Sequence, residues 1–145
     1  MPDRPRPRPN NVAASVRQRL LNLAHARGQP MELLLTRYAL ERLLYRLSLS
    51  PHRDRFVLKG AMLLATWFDE PHRATRDVDL LGFGDAAEDA LLATFSEIMA
   101  VEVDDGIPSG TSAGMTVLRR AKVATMARCN RAGSIANVLV SIHTS

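Results

Sequence analysis

The sequence predicts an α/β (α+β) protein in which helices flank a small mixed sheet and an N-terminal helical pair precedes it. Apolar residues recur at helical spacing through the first third of the chain. Short apolar runs typical of buried strands occur at residues 56–58 and 77–81, and a helix-length apolar segment, 61–68, separates them. We therefore expect a helical pair followed by strands and helices that alternate.

The chain divides into four segments by composition. Its 145 residues allow one domain with a moderate core. We assign an arm to residues 1–10, helices to 11–50, an α/β core to 51–107 and an atypical basic tail to 108–145. The arm alternates Arg and Pro, which excludes a helix or a central strand and predicts a disordered tail. Contact of this arm with RNA phosphate is the less favoured alternative.

Two helices are predicted before the core. The first is capped by Asn10 or Asn11 and runs to about Arg27, and Gly28 ends it. The second begins near Pro30, and its wide apolar stripe predicts packing on the sheet. Three of its arginines either face a substrate or are solvated, and we favour solvation: Arg37, Arg42 and Arg46.

A strand, a tight turn and a helix follow, at residues 56–68. Such a junction directs backbone N–H groups and the positive end of the helix dipole toward an anion, usually a phosphate. Gly60 suits the turn because a side chain there would block a close approach. Lys59, Gly60 and Ala61 are therefore candidate phosphate-binding residues.

Asp77 and Asp79 are separated by one residue within an apolar run. On a strand they point to the same face, while Val78 points to the other, into a core. Two adjacent carboxylates repel each other unless a cation lies between them, and hard oxygen ligands suit Mg²⁺ or Mn²⁺. A bound ion of this kind neutralises nucleotide phosphates. The alternative is that the pair belongs to a solvated turn.

The tail changes character after Ile107. A helix capped by Asp85 and spanning about 86–99 precedes this point. From residue 107 to 145 there is no Asp or Glu, and apolar periodicity fades. We predict only a helix over 117–128 and a strand over 136–142.

Composition indicates a cytoplasmic globular protein. No apolar run approaches the ~18 residues of a membrane span, and the N-terminus lacks the apolar segment of a signal peptide. The single cysteine, Cys129, excludes a disulfide framework. A net charge of +4 favours an anionic partner such as nucleic acid, or it reflects a merely basic surface, and we weigh these equally.

Two motifs of the chain are Leu58-Lys59-Gly60-Ala61 and Thr75-Arg76-Asp77-Val78-Asp79-Leu80-Leu81. Together they resemble the AbiEii/AbiGii family of nucleotidyltransferase toxins, within the DNA polymerase β-like superfamily. The resemblance covers roughly residues 12–107 and continues through the acidic segment Val101–Ile107. Ala61 stands where Ser or Gly is commoner in the superfamily. The resemblance implies a nucleotidyltransferase-like fold that transfers a nucleoside monophosphate from an NTP to an acceptor, the tRNA 3′ end in characterised toxins.

The resemblance also assigns roles. It implies that Asp77 and Asp79 are catalytic and bind Mg²⁺ or Mn²⁺, that an antitoxin is encoded nearby, and that the protein acts in toxin-antitoxin or abortive-infection defence. Nucleotide and phosphate contacts are expected from Lys59, Gly60, Ala61 and Arg76. Arg76 is almost as readily interpreted as an ion-pair partner of a neighbouring carboxylate.

The chain departs from the superfamily pattern at a third carboxylate, which a later strand should supply. The corresponding segment, Val138–His143, contains none. We expect either a gene truncated or shifted out of frame soon after Ile107, or a short protein whose basic tail binds RNA. The leading hypothesis is a nucleotidyltransferase toxin. The alternatives are a catalytically inactive remnant that at most binds nucleotide or RNA, and a helical interaction module.

Overall fold

The computed structural model describes residues 11–60, 77–85, 87–107, 121–130 and 133–142, the last two ranges through their backbone. Helices α1 (Val12–Arg27) and α2 (Met31–Leu49) lead into a 3-10 turn, Arg53–Arg55. Strands β1 (Phe56–Lys59) and β2 (Asp77–Phe83) precede helix α3 (Glu88–Met99). Strands β3 (Ala121–Asn130) and β4 (Gly133–Ile142) follow. The predicted α/β class and the N-terminal helical pair are confirmed.

The four described strands form one sheet in the order β1-β2-β4-β3. Each of its three pairings is antiparallel, where a mixed sheet was expected. The aspartate strand, β2, is therefore central, between β1 and β4. Strands β1 and β3 lie at the two edges of the sheet.

The ends of the first helix follow the predicted signals. Asn11 is the N-cap, and its side-chain oxygen accepts a hydrogen bond from the N–H of Ala14 at 2.9 Å. Gly28 ends the helix in the left-handed conformation, with φ of 60°. The third helix differs slightly from its prediction: it begins after Ala87, and Asp85 accepts from the N–H of Ala87 without capping the helix.

The core lies between one face of the sheet and helices α2 and α3. Val78 and Leu80 of β2 point into it, and Phe56 of β1 lies against Phe95 of α3 with ring centroids 5.5 Å apart. The helices complete it with Leu40, Leu43, Leu47, Leu91, Phe95, Ile98 and Met99. Burial of this apolar surface is the main stabilising contribution, and it leaves the opposite face of the sheet for function.

A buried ion pair fastens the segment after α3 to α2. The guanidinium of Arg46, fully buried, lies 3.0 Å from Oδ1 of Asp105 and also donates to the carbonyl oxygens of Val101 and Ile107. The hydroxyl of Tyr38 donates to the carbonyl oxygen of Asp105 at 2.7 Å. Burial, and then the charge of Asp105, raises the pKa of Tyr38. This part of the acidic segment is therefore structural.

The predicted roles of the α2 arginines are resolved individually. Arg46 is neither solvated nor directed at a substrate, because it is enclosed by the loop that it binds. Arg37 forms a surface ion pair with Glu41 at 3.0 Å. Arg42 lies between the rings of Tyr38 and Tyr45, with its guanidinium carbon 5.7 and 5.0 Å from the two ring centroids.

The tail forms strands. The predicted strand over 136–142 is confirmed and begins earlier, at Gly133. The predicted helix over 117–128 is wrong from residue 121 onward, because β3 occupies Ala121–Asn130 and pairs with β4 along its whole length. Ala, Met, Lys and Arg favour helix locally, but long-range pairing with an apolar strand overrides this weak preference.

Several predictions fall on residues outside the described ranges. They are the disordered arm over 1–10, the helix over 61–68, and the tail residues on either side of β3. Among the described helices, none is long and apolar enough to cross a membrane.

Candidate active site

Strand β2 carries both aspartates on the face of the sheet that the described helices leave open, here called the open face. Val78 and Leu80 are 0% and 1% exposed on the core face, whereas Asp77 is exposed and Asp79 is half-buried. This alternation confirms that the two carboxylates share a face. Burial of its apolar residues fixes the register of β2, because a shift of one residue would move the aspartates into the core.

Gly60 lies directly against Asp79. It follows β1 with φ of 75°, a conformation that residues with a side chain rarely adopt. A Cβ placed there would contact Oδ2 of Asp79 and lie 3.1 Å from both its Cβ and its Cγ. The missing side chain of Gly60 thus permits the close approach of the Asp79 carboxylate, and the predicted approach of a phosphate stays a prediction.

Lys59 stands beside the same carboxylate. The antiparallel register of β1 and β2 pairs Lys59 with Asp79, and directly paired residues present their side chains to one face. Lys59 is exposed. The site therefore combines two carboxylates, one ammonium group and a glycine within two neighbouring strands.

Apolar side chains border the aspartates on the open face. Val57 of β1 is 51% exposed and Phe83 of β2 is 42% exposed, and Leu81 lies between Asp79 and Phe83 on the same face. These residues can support the flat face of a nucleobase.

The strand on the other side of β2 supplies no carboxylate. Ser141 of β4 lies opposite Asp77, and Leu139 lies opposite Asp79. Neither β3 nor β4 contains Asp or Glu. The third carboxylate expected from the superfamily pattern is therefore not found in either strand of this hairpin.

A hard divalent cation fits the donors that are present, though incompletely. Asp77 and Asp79 offer carboxylate oxygens, which Mg²⁺ and Mn²⁺ prefer, on one face of β2. Within the described residues, no cluster of three His, Cys, Asp or Glu side chains could hold a metal ion. Proteins usually bind Mg²⁺ through one or two carboxylates, and substrate phosphates and waters complete its coordination.

Two of the predicted site residues, Ala61 and Arg76, lie outside the described ranges. The structure thus brings together Lys59, Gly60, Asp77 and Asp79. The sequence interpretation chose the segment that pairs beside β2, Val138–His143, but not which of its residues lie opposite the aspartates. Register between β2 and a distant strand has no local sequence signal, and the apolar run Val138–Val140 indicates a strand without indicating its register.

A cavity of about 430 Å³ lies on the core side of the sheet and is separate from the aspartates. Leu58 and Leu80 form its floor, and Arg53 and Asp54 stand among its lining residues. Since Asp77 and Asp79 occupy the opposite face of β2, this cavity is not where they would meet a nucleotide.

Residues 42–132 match the family model described as nucleotidyl transferase AbiEii toxin of a type IV toxin-antitoxin system. The chain belongs to this family. Comparisons with curated proteins and with solved structures find no significant match. Membership identifies a nucleotidyltransferase toxin family and carries with it a nucleotide substrate and a cognate antitoxin.

The AbiEii match spans the site and continues beyond it. It begins within α2, includes β1, β2 and α3, and ends after β3, whereas the resemblance seen in the sequence stopped near Ile107. The hypothesis of a gene truncated or shifted out of frame soon after Ile107 stays a hypothesis.

Proposed function

We propose that this AbiEii family member is a metal-dependent nucleotidyltransferase that moves a nucleoside monophosphate from an NTP to an RNA acceptor, a tRNA 3′ end. We place it in the cytoplasm, as the toxin that a cognate antitoxin restrains. The contact of Gly60 with the Asp79 carboxylate, beside Lys59 and on the face that also carries Asp77, is the observation that supports this most strongly.

Each residue of the site has a proposed role. Asp77 and Asp79 hold Mg²⁺ or Mn²⁺, and the ion, when bound, neutralises phosphate charge. Gly60 and Ala61 offer backbone N–H groups to the triphosphate, and the missing side chain of Gly60 admits the Asp79 carboxylate. Lys59 and Arg76 donate hydrogen bonds to phosphate oxygens.

The reaction is a substitution at the α-phosphorus. An acceptor hydroxyl oxygen forms a bond to this phosphorus, the bond to the bridging oxygen breaks, and pyrophosphate leaves with that oxygen. The hydroxyl proton passes to water, because β3 and β4 provide no carboxylate to receive it. Positioning and charge therefore carry the catalysis.

Label transfer tests this function. The chain is incubated with each α-phosphate-labelled NTP, Mg²⁺ and total tRNA, and labelled RNA is measured on a gel. We expect weak, Mg²⁺-dependent labelling that Asp79→Asn abolishes. Asp104→Asn is the matched control, because it removes one exposed carboxylate outside the site. Labelling that survives Asp79→Asn would refute the assignment.

A second candidate function is an inactive protein that binds nucleotide or RNA. It is favoured by one observation, the absence of Asp and Glu from β3 and β4. Loss of one metal ligand or base lowers the rate by orders of magnitude, so binding can persist without catalysis. NTP binding that requires Asp79, without label transfer to any RNA, would favour this candidate.

A further inference from the structure

The edge strand β3 carries two cations on the register rows of the aspartate face. Lys122 pairs with Ser141 of β4, which in turn pairs with Asp77 of β2. Directly paired residues in antiparallel strands belong to one face of the sheet. The position of Lys122 is therefore on the open face, in the same row as Asp77.

Arg128 is placed in the same way at the other end of β3. It pairs with Ile135, which pairs with the exposed Phe83. Lys122 and Arg128 are the only charged residues in β3, and β4 has none. Both cations of these two strands thus occupy positions on the aspartate face, and the alternate positions of β3 are uncharged.

Distances between these positions suit an extended polyanion. Two strand spacings, about 10 Å, separate Lys122 from Asp77, and about 20 Å of strand separates Lys122 from Arg128. A single nucleotide bound at Asp77 does not reach so far along β3. A strand of RNA does, since it presents a phosphate at every residue.

We propose that the backbone of the RNA acceptor lies along the open face of β3, with Lys122 and Arg128 as phosphate contacts and its reactive end at Asp77. This inference rests on the proposed function and adds the path of the acceptor. Lys59, on the opposite edge strand, lies on the other side of the aspartates. The NTP and the acceptor therefore approach the carboxylates from opposite edges of the sheet.

The salt dependence of binding tests the path. A fluorescein-labelled single-stranded oligoribonucleotide of mixed sequence is titrated by anisotropy between 50 and 200 mM salt. The plot of log affinity against log salt has a negative slope. Each lost phosphate contact reduces the magnitude of this slope by about 0.7 for a single strand. We expect this decrease in Lys122→Gln and in Arg128→Gln, while Lys122→Arg keeps the slope of the natural chain.

Arg27→Gln is the matched control, because Arg27 is an exposed cation at the end of α1, outside the sheet. An equal decrease in this variant, no decrease in the β3 variants, or no binding of the oligonucleotide would overturn the proposal. NTP affinity is measured in parallel and should not change. Loss of NTP affinity in Lys122→Gln would assign Lys122 to the nucleotide and overturn the path.

The two proposals fail differently. Label transfer and NTP binding that depend on Asp79, with RNA affinity indifferent to Lys122 and Arg128, would remove the path and leave the proposed function. RNA binding with the expected slopes, but no dependence of NTP binding on Asp79, would remove the nucleotide site and leave the RNA surface.

Discussion

Gly60 shows how one residue can affect the position of a carboxylate in the candidate site. Its positive φ allows the chain to leave β1, and its missing Cβ leaves the place that the Asp79 carboxylate occupies. Either property alone would restrict substitution. The missing Cβ also links Gly60 to the site through Asp79. An experiment can therefore separate its effect from that of the positive φ.

Substitution of Gly60 by alanine should therefore impair folding and binding together. We expect Gly60→Ala to lower the free energy of unfolding by about 1–3 kcal/mol through backbone strain and displacement of Asp79. NTP affinity should fall about tenfold or more, because the carboxylate moves. Urea denaturation and NTP titration measure the two effects.

Gly28 provides the control for this prediction. It has a similar φ of 60°, but no atom lies within 4 Å of the position of an added Cβ. Gly28→Ala should cost about 1 kcal/mol from the backbone alone and leave NTP affinity unchanged. Equal NTP affinity in the two variants would mean that the close packing of Gly60 against Asp79 does not matter for NTP binding.

Among the elements, helix α2 has two functions in the fold. One side of it covers the core face of the sheet, and Arg46 binds the segment that leaves α3. This segment is Val101–Ile107, the acidic region that the family resemblance includes. Its Asp105 is used to neutralise Arg46, so the charge is structural there.

Loss of Arg46 should be severely destabilising. Arg46→Met leaves the buried Asp105 carboxylate without its cation, and breaking a buried pair in this way costs about 3–5 kcal/mol. Arg37→Met removes the same charge from the surface of the same helix, where the pair with Glu41 contributes about 0.5 kcal/mol or less. Denaturant unfolding of both variants checks the difference, and similar losses would contradict a structural role specific to Arg46.

The elements also show what the sequence can predict. Helix α1 and strands β1 and β2 follow from local signals: Asn11 and Gly28 at the helix ends, and the two-residue period of Asp77 and Asp79. Strand β3 does not, because its residues favour helix locally and only pairing with β4 makes them a strand. The same dependence on register hid the neighbours of the aspartates, Ser141 and Leu139.

In the molecule as a whole, the sheet separates stability from function. Its inner face packs on α2 and α3, while its outer face carries two carboxylates on the central strand β2 and cations on both edge strands. A central negative pair with flanking positive positions suits two anionic substrates that meet at a cation. What this face lacks, in the strands described, is a carboxylate opposite β2.

Ser141 is the position where such a carboxylate can be restored. It pairs directly with Asp77, and directly opposed residues have Cβ atoms about 5 Å apart, near enough for two carboxylates to share an ion. Without metal, Ser141→Asp adds a like charge beside Asp77 and should lower the melting temperature. Added Mg²⁺ should raise that temperature more in this variant than in the natural chain, since the folded state gains a ligand.

Activity should follow the same logic. Ser141→Asp is expected to raise the rate of label transfer from NTP to tRNA at least about tenfold, the effect of one added ligand or base of modest efficiency. Ser134→Asp makes the same substitution at the other end of β4, where Ser134 pairs with Cys129 of β3, and should raise neither the rate nor the response to Mg²⁺. If both variants behave alike, or if the natural chain already transfers label at a high rate, the site is completed elsewhere and β4 is not where its missing ligand belongs.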